Sequence, residues 1–111
     1  MFYTFSQNNS GGSFDRTDDL GDFVVIEADS ADDANERAAE FGIYFDGVAF
    51  GEDCKCCGDR WYPVSEPGED KPALYGEPIE KAIDDFDLRN TIVVHYANGD
   101  RRTIDKRKNP R

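Results

Sequence analysis

Hydrophobic positions along this chain fall into short blocks whose period switches between two and about three and a half, and the blocks predict its elements. Phe2-Tyr3-Thr4-Phe5-Ser6 is aromatic and β-prone and reads as a first strand. Residues 7–21 are polar and rich in Gly, Ser, Asn and Asp, which makes them a long loop. Phe23-Val24-Val25-Ile26-Glu27-Ala28 predicts a second strand. Ser30 suits a helix N-cap, with Asp33 three positions on as a short version of the capping box. Ala31, Ala34, Ala38 and Phe41 then recur at helical spacing, so a narrow small-residue face is expected to pack closely on the sheet. Gly42 is the expected stop.

Ile43-Tyr44-Phe45 and Val48-Ala49-Phe50 flank Asp46-Gly47, which predicts a short hairpin. Residues 63–71 are polar and turn-rich. Pro78 suits the first position of a second helix, whose apolar stripe is Ile79, Ala82, Ile83 and Phe86. Thr91–Tyr96 and Arg101–Ile104 around Asn98-Gly99 form the clearest hairpin in the chain. No internal repeats occur. The order predicts an α+β fold, a small antiparallel sheet with two helices and a cysteine-containing turn. One domain is expected over residues 1–105, with 106–111 as a basic disordered tail.

Charge adds a direction to this plan. The net charge is −11, from 24 acidic and 13 basic side chains. Residues 1–100 hold 23 acids and 7 bases, whereas 101–111 hold 1 acid and 6 bases. Such a body repels nucleic acid and anionic membrane and is drawn to basic protein surfaces. Asp32, Asp33, Glu36 and Glu40 share a side of the first helix, and Glu77, Glu80, Asp84 and Asp85 are candidates for a second acidic face. Rows of carboxylates compete with phosphates for Lys/Arg clefts by the same electrostatics, which is the basis of nucleic-acid mimicry. A plain solvated helix face has the same composition.

All three cysteines lie in Gly51-Glu52-Asp53-Cys54-Lys55-Cys56-Cys57-Gly58-Asp59-Arg60-Trp61. Cys54 and Cys57 form Cys-x-x-Cys followed by glycine, as in zinc knuckles, but no second pair follows. Cys56 and the lone His95 are the candidates to complete a zinc site, with Asp53 as a further oxygen donor. A redox reading is weaker, because the residues after Cys57 do not propagate a helix that would stabilise a thiolate. Small thiols in a tight turn beside Trp61 are the plain structural reading.

A second unusual segment is Asn8-Asn9-Ser10-Gly11-Gly12-Ser13. Two glycines among small hydrogen-bonding residues suit a backbone nest for an anion. Folded beside Arg60 and Trp61, it would hold a small anionic or nucleotide ligand by charge and stacking. Asp18, Asp19, Asp22, Asp87 and the helix acids pair with no nucleophile or base in a recognisable motif, so no enzyme is expected. No stretch approaches the roughly 20 apolar residues of a membrane span. The start of the chain lacks the basic and apolar regions of a signal peptide, and the odd cysteine count fits reduced thiols in a cytosol.

At residues 2–14 (FYTFSQNNSGGSF), at Val25-Ile26-Glu27-Ala28 and at residues 51–61 (GEDCKCCGDRW), the chain resembles a small, functionally uncharacterised protein family of tailed bacteriophages. The likeness covers about the first 65 residues and transfers no catalytic residues. It implies a phage product acting in the host bacterial cytoplasm, where small accessory proteins commonly bind host factors, including those of defence systems. With the charge pattern, it leads to a non-enzymatic host-modulating or anti-defence protein that binds a basic host surface. Capture of a small anionic ligand and a zinc-stabilised interaction domain are the alternatives.

Overall fold

The computed structural model describes residues 1–8, 16–74, 76–85 and 91–105, with backbone alone for 83–85 and 105. The strands are β1 (Phe2–Ser6), β2 (Phe23–Glu27), β3 (Ala73–Leu74), β4 (Glu77–Pro78), β5 (Thr91–His95) and β6 (Arg101–Asp105). The helices are α1 (Ala31–Glu40) and α2 (Ile79–Asp85). The main sheet has the order β1-β2-β5-β6, and β3-β4 form a two-stranded sheet. The α+β class is as the periodicity predicts. The sheet is mixed rather than wholly antiparallel, because the central β2 and β5 pair in parallel, Val24 opposite Val93 and Ile26 opposite His95.

The burial pattern gives the reason. Period-two alternation sends Val24 and Ile26 to one face and Phe23 and Val25 to the other, and both faces are covered. On the first face, Tyr3, Phe5, Leu20, Val24 and Ile26 pack with Ala31, Ala34 and Ala38 of α1, and with Ile43 and Trp61. On the second, Phe23, Val25, Ile92 and Val94 pack with Leu74 and with Ile79 and Ala82 of α2. Strands buried on both faces read as continuous apolar runs, and that is the setting in which parallel pairing occurs.

Helix α1 begins as its sequence predicts: the Ser30 Oγ accepts from the Asp33 amide at 3.1 Å. A second cap comes from far along the chain. One Glu66 carboxylate oxygen accepts from the Ala31 amide at 2.7 Å and the other from the Tyr3 hydroxyl at 2.6 Å. These bonds hold the Glu66 carboxyl below the usual range and push the Tyr3 hydroxyl up to about 12. Gly42, at φ +101°, ends the helix. The β5–β6 hairpin turns through Asn98 and Gly99, the latter at φ +96°.

The hairpin expected over 43–50 does not form. Ile43 is drawn into the core below α1, and the chain instead coils through a turn in which Phe50 N donates to Asp46 O at 3.1 Å. The Glu52 and Asp53 amides both donate to Gly47 O, at 2.7 and 3.0 Å. Val48 N donates to the Asp59 carboxylate at 2.9 Å. The Asp59 carboxylate and the Asp46 and Gly47 carbonyls thus take bonds that a strand partner would have supplied. The basic stretch also divides: Arg101 and Arg102 belong to β6, where they pair with Asp19 and Glu80 at 2.8 Å each. Residues 106–111, expected as a tail, and Phe86 lie outside the described residues. None of the helices described is long and apolar enough to cross a membrane.

Candidate functional site

The cysteine turn is clamped at its base by two inward carboxylates. Asp53 accepts from the Tyr44 hydroxyl at 2.7 Å and from the Arg60 amide at 2.8 Å, and lies 3.8 Å from the Arg60 Nε. Asp59 takes the Val48 amide. Between these clamps Cys57 N and Gly58 N both donate to Cys54 O, at 3.2 and 3.1 Å, and Gly58 sits at φ +85°. That is the tight knuckle turn the Cys-x-x-Cys-Gly spacing predicts, and it turns all three thiols outward.

The three cysteines are exposed and none is in a disulfide. Cys54 Sγ lies 2.7 Å from Cys56 Sγ, which lies 3.6 Å from Cys57 Sγ. All three sulfurs fall within 4.8 Å of one another, close enough to hold one metal ion. Hydrogen bonding from the Cys56 thiol, and then from the turn's amides, lowers the Cys54 thiol. The reciprocal effect of Cys54 and Cys57 pushes Cys56 up to about 11. The Cys54 and Cys56 sulfurs thus share a hydrogen bond in which either thiol can be the donor.

His95 is not part of this cluster. It is buried on β5, with its ring stacked on Phe41 at 3.6 Å between centroids, and its Nε2 lies 2.8 Å from Asp19 O. A carbonyl only accepts, so Nε2 carries the proton. Burial lowers the imidazole below its ordinary value. Asp53 is also lost as a metal ligand, because its oxygens face the Tyr44 hydroxyl and the Arg60 amide.

The start of the glycine-rich segment does meet the cysteine segment. Asn8 N donates to Arg60 O at 2.8 Å. The Asn8 side-chain amide donates to Cys57 O at 2.7 Å and Asp59 O at 3.2 Å. Asn9, Ser10, Gly11, Gly12 and Ser13 lie outside the described residues. Arg60 and Trp61, expected to line a ligand pocket, are instead structural. Trp61 is 1 % exposed within the core below α1, and Arg60 is 8 % exposed. The Arg60 guanidinium donates to Gln7 Oε1 at 3.0 Å and to the Tyr44 hydroxyl at 3.3 Å. An indole without an open face offers no stacking surface. The sequence shows an Arg-Trp pair beside a loop, but not which way either side chain points.

A groove of about 360 Å³ lies between α1, the end of β2 and the β5–β6 turn, lined by Glu27, Asp29, Asp33, Glu36, Arg37 and Glu40 among others. Asp33, Glu36 and Glu40 recur at i, i+3 and i+7, so they form one row along the helix. Arg37 is its one cation, and it is committed elsewhere. It donates to Glu27 O at 2.9 Å and to Tyr96 O at 3.2 Å, with its guanidinium over the Phe41 ring. Glu27 in turn accepts from Ala97 N at 2.9 Å. Asp32 is exposed but outside the groove lining.

The second helix differs. Glu80 pairs with Arg102, and Glu77, which lies on β4 rather than on the helix as expected, is 3.9 Å from Lys81, so part of this acidity is locally balanced. The Asp84 and Asp85 side chains lie outside the described residues. Sequence reasoning missed Glu27 and Asp29 as members of the acidic site. Their signal, two acids flanking a strand end just before an N-cap, becomes a groove only when α1 folds back on β2.

Neither the curated proteins nor the solved structures include a match to this chain. A family's sequence model, described as Domain of unknown function (DUF7296), matches residues 1–110, and the chain belongs to that family.

Proposed function

We propose that this is a non-enzymatic accessory protein of a tailed bacteriophage that binds a basic surface of a host protein in the bacterial cytoplasm, modulating the host or blocking a defence system. The observation that carries the reading is the α1 groove, where five carboxylates face one guanidinium whose hydrogen bonds go to backbone carbonyls. The row is rigid, because α1 is fixed by two caps and a buried alanine face. A fixed row of exposed carboxylates suits a partner that presents Lys and Arg, including a cleft that otherwise holds phosphates. The alternative of a small anionic ligand loses support with Arg60 and Trp61 in the core. For the cysteine cluster, thiolate donors favour zinc as the metal.

The test is affinity capture from host lysate with the native chain and with Asp33→Lys/Glu36→Lys/Glu40→Lys. The native chain is expected to retain a basic protein whose binding weakens as salt rises past about 0.15 M, where the screening length is about 8 Å. The triple variant is expected to lose that protein while keeping its melting temperature within a few degrees. Equal capture by both chains would refute the reading.

A further inference from the structure

We propose that Cys54, Cys56 and Cys57 together form a three-thiolate site for one zinc ion, with its fourth position open at the protein surface. This rests on the zinc reading of the cluster and goes beyond it in leaving the fourth position open, unfinished by the knuckle itself. The Cys-x-x-Cys pattern alone places Cys56 inside the knuckle, where a side chain is free to point away. In the structure it does the opposite: its sulfur lies between the other two, at 2.7 and 3.6 Å. Two sulfurs bound to one tetrahedral zinc at about 2.3 Å stand roughly 3.8 Å apart. The Cys56–Cys57 separation already fits. The Cys54–Cys56 pair must open by about 1 Å, which a side-chain torsion on an exposed turn supplies, and each of the three thiols gives up its proton to solvent as its sulfur binds the metal.

The turn is prepared for this load. Its base is fixed by Asp53 and Asp59, and the Asn8 side chain holds the Cys57 and Asp59 carbonyls. Among the described residues, no histidine or carboxylate joins the three sulfurs. Three thiolates and Zn²⁺ carry a net charge of −1 on a chain already at −11, so a neutral donor, water or imidazole, fits the fourth position better than another anion. Three protein ligands with an open fourth position are the arrangement of zinc sites that exchange ligands, whereas structural sites are closed by four. The donor class expected from a partner is therefore a histidine side chain.

The experiment titrates Zn²⁺ into the full reduced chain against a chromophoric chelator, then repeats it with Cys54→Ser, Cys56→Ser, Cys57→Ser and His95→Gln. Native protein is expected to bind one ion per chain. Each serine variant should lose at least about tenfold in affinity, the lower bound for losing even an outer partner of a metal site, and His95→Gln should bind as the native chain does. Trp61 emission, unchanged across the serine variants, shows that the fold is retained. In the Co²⁺-substituted protein, added imidazole should shift the d–d absorption. Native-like affinity of Cys56→Ser, or a Co²⁺ spectrum indifferent to imidazole, would overturn the open three-thiolate site while leaving a zinc site standing. No Zn²⁺ binding at all would remove both.

Discussion

Replacing Asp53 tests what holds the cysteine turn in place. Its carboxylate is buried and takes the Tyr44 hydroxyl and the Arg60 amide, with the Arg60 Nε 3.8 Å away. Asp53→Ala leaves the buried Arg60 amide without its acceptor, at about 1–3 kcal/mol, and the part-buried Tyr44 hydroxyl likewise at the low end of that range. It also strips a buried guanidinium of a carboxylate, and breaking a buried pair from one side costs about 3–5 kcal/mol in all. Since the terms overlap, about 3–5 kcal/mol is the expected total. At about 4 °C per kcal/mol for a domain of this size, that is a fall of roughly 12–20 °C in melting temperature. Asp53→Asn keeps the shape and one acceptor oxygen but removes the charge, and should cost about 1–2 kcal/mol. Because a domain this small has only about 5–15 kcal/mol in hand, the alanine variant is at risk of unfolding and the asparagine variant secures the measurement. Urea unfolding followed by the emission of Trp61, the single tryptophan, reads both. Combining Asp53→Asn with Arg60→Met should cost less than the sum of the two alone, since both break one contact. An Asp53→Ala chain within about 0.5 kcal/mol of native would show that these bonds do not secure the turn.

His95 predicts a pH dependence. Burial lowers its folded-state value below the ordinary 6.5, so the unfolded chain binds the proton more readily. The surrounding charges, Asp19 on one side and Arg37 and Arg101 on the other, are secondary to burial. Stability from the neutral ring is then full above about pH 6.5 and declines as pH falls from there toward the lowered folded value. Denaturant midpoints between pH 7.5 and 5 should show that decline, and His95→Gln should flatten it; an unchanged slope would refute the assignment. Gly47→Ala is expected to cost about 1–3 kcal/mol by urea unfolding, because a methyl there would overlap the Asp53 carboxylate and the Tyr44 ring. Parity with the native chain would show that the turn gives way without cost.

Most of the framework was readable before folding. Local chemistry marked β1, β2, α1 with its Ser30 cap, and the β5–β6 hairpin, because caps, glycine turns and apolar period act over a few residues. It failed at 43–50, where the turn-flanked apolar pattern of a hairpin was overridden by Ile43 entering the core and by bonds to Gly47 and Asp59. It also missed the two-residue strands β3 and β4, which are too short to carry a period. The acidic row of α1 was visible as spacing, and the knuckle as Cys-x-x-Cys-Gly.

The residues suited to chemistry stand out locally along the chain, as three thiols in four positions and a helix with acids on one side. Tertiary packing set where other candidate residues point and which of them stay exposed. Parallel pairing of β2 with β5 requires both sheet faces to be covered, which depends on two helices that the chain separates by the stretch from Glu40 to Ile79. Long-range packing buried Arg60, Trp61 and His95 and so removed three candidate ligand residues. It also folded Glu27 and Asp29 into the acidic groove. Side-chain direction is set by what lies across the core, and a local pattern of residues carries no record of that.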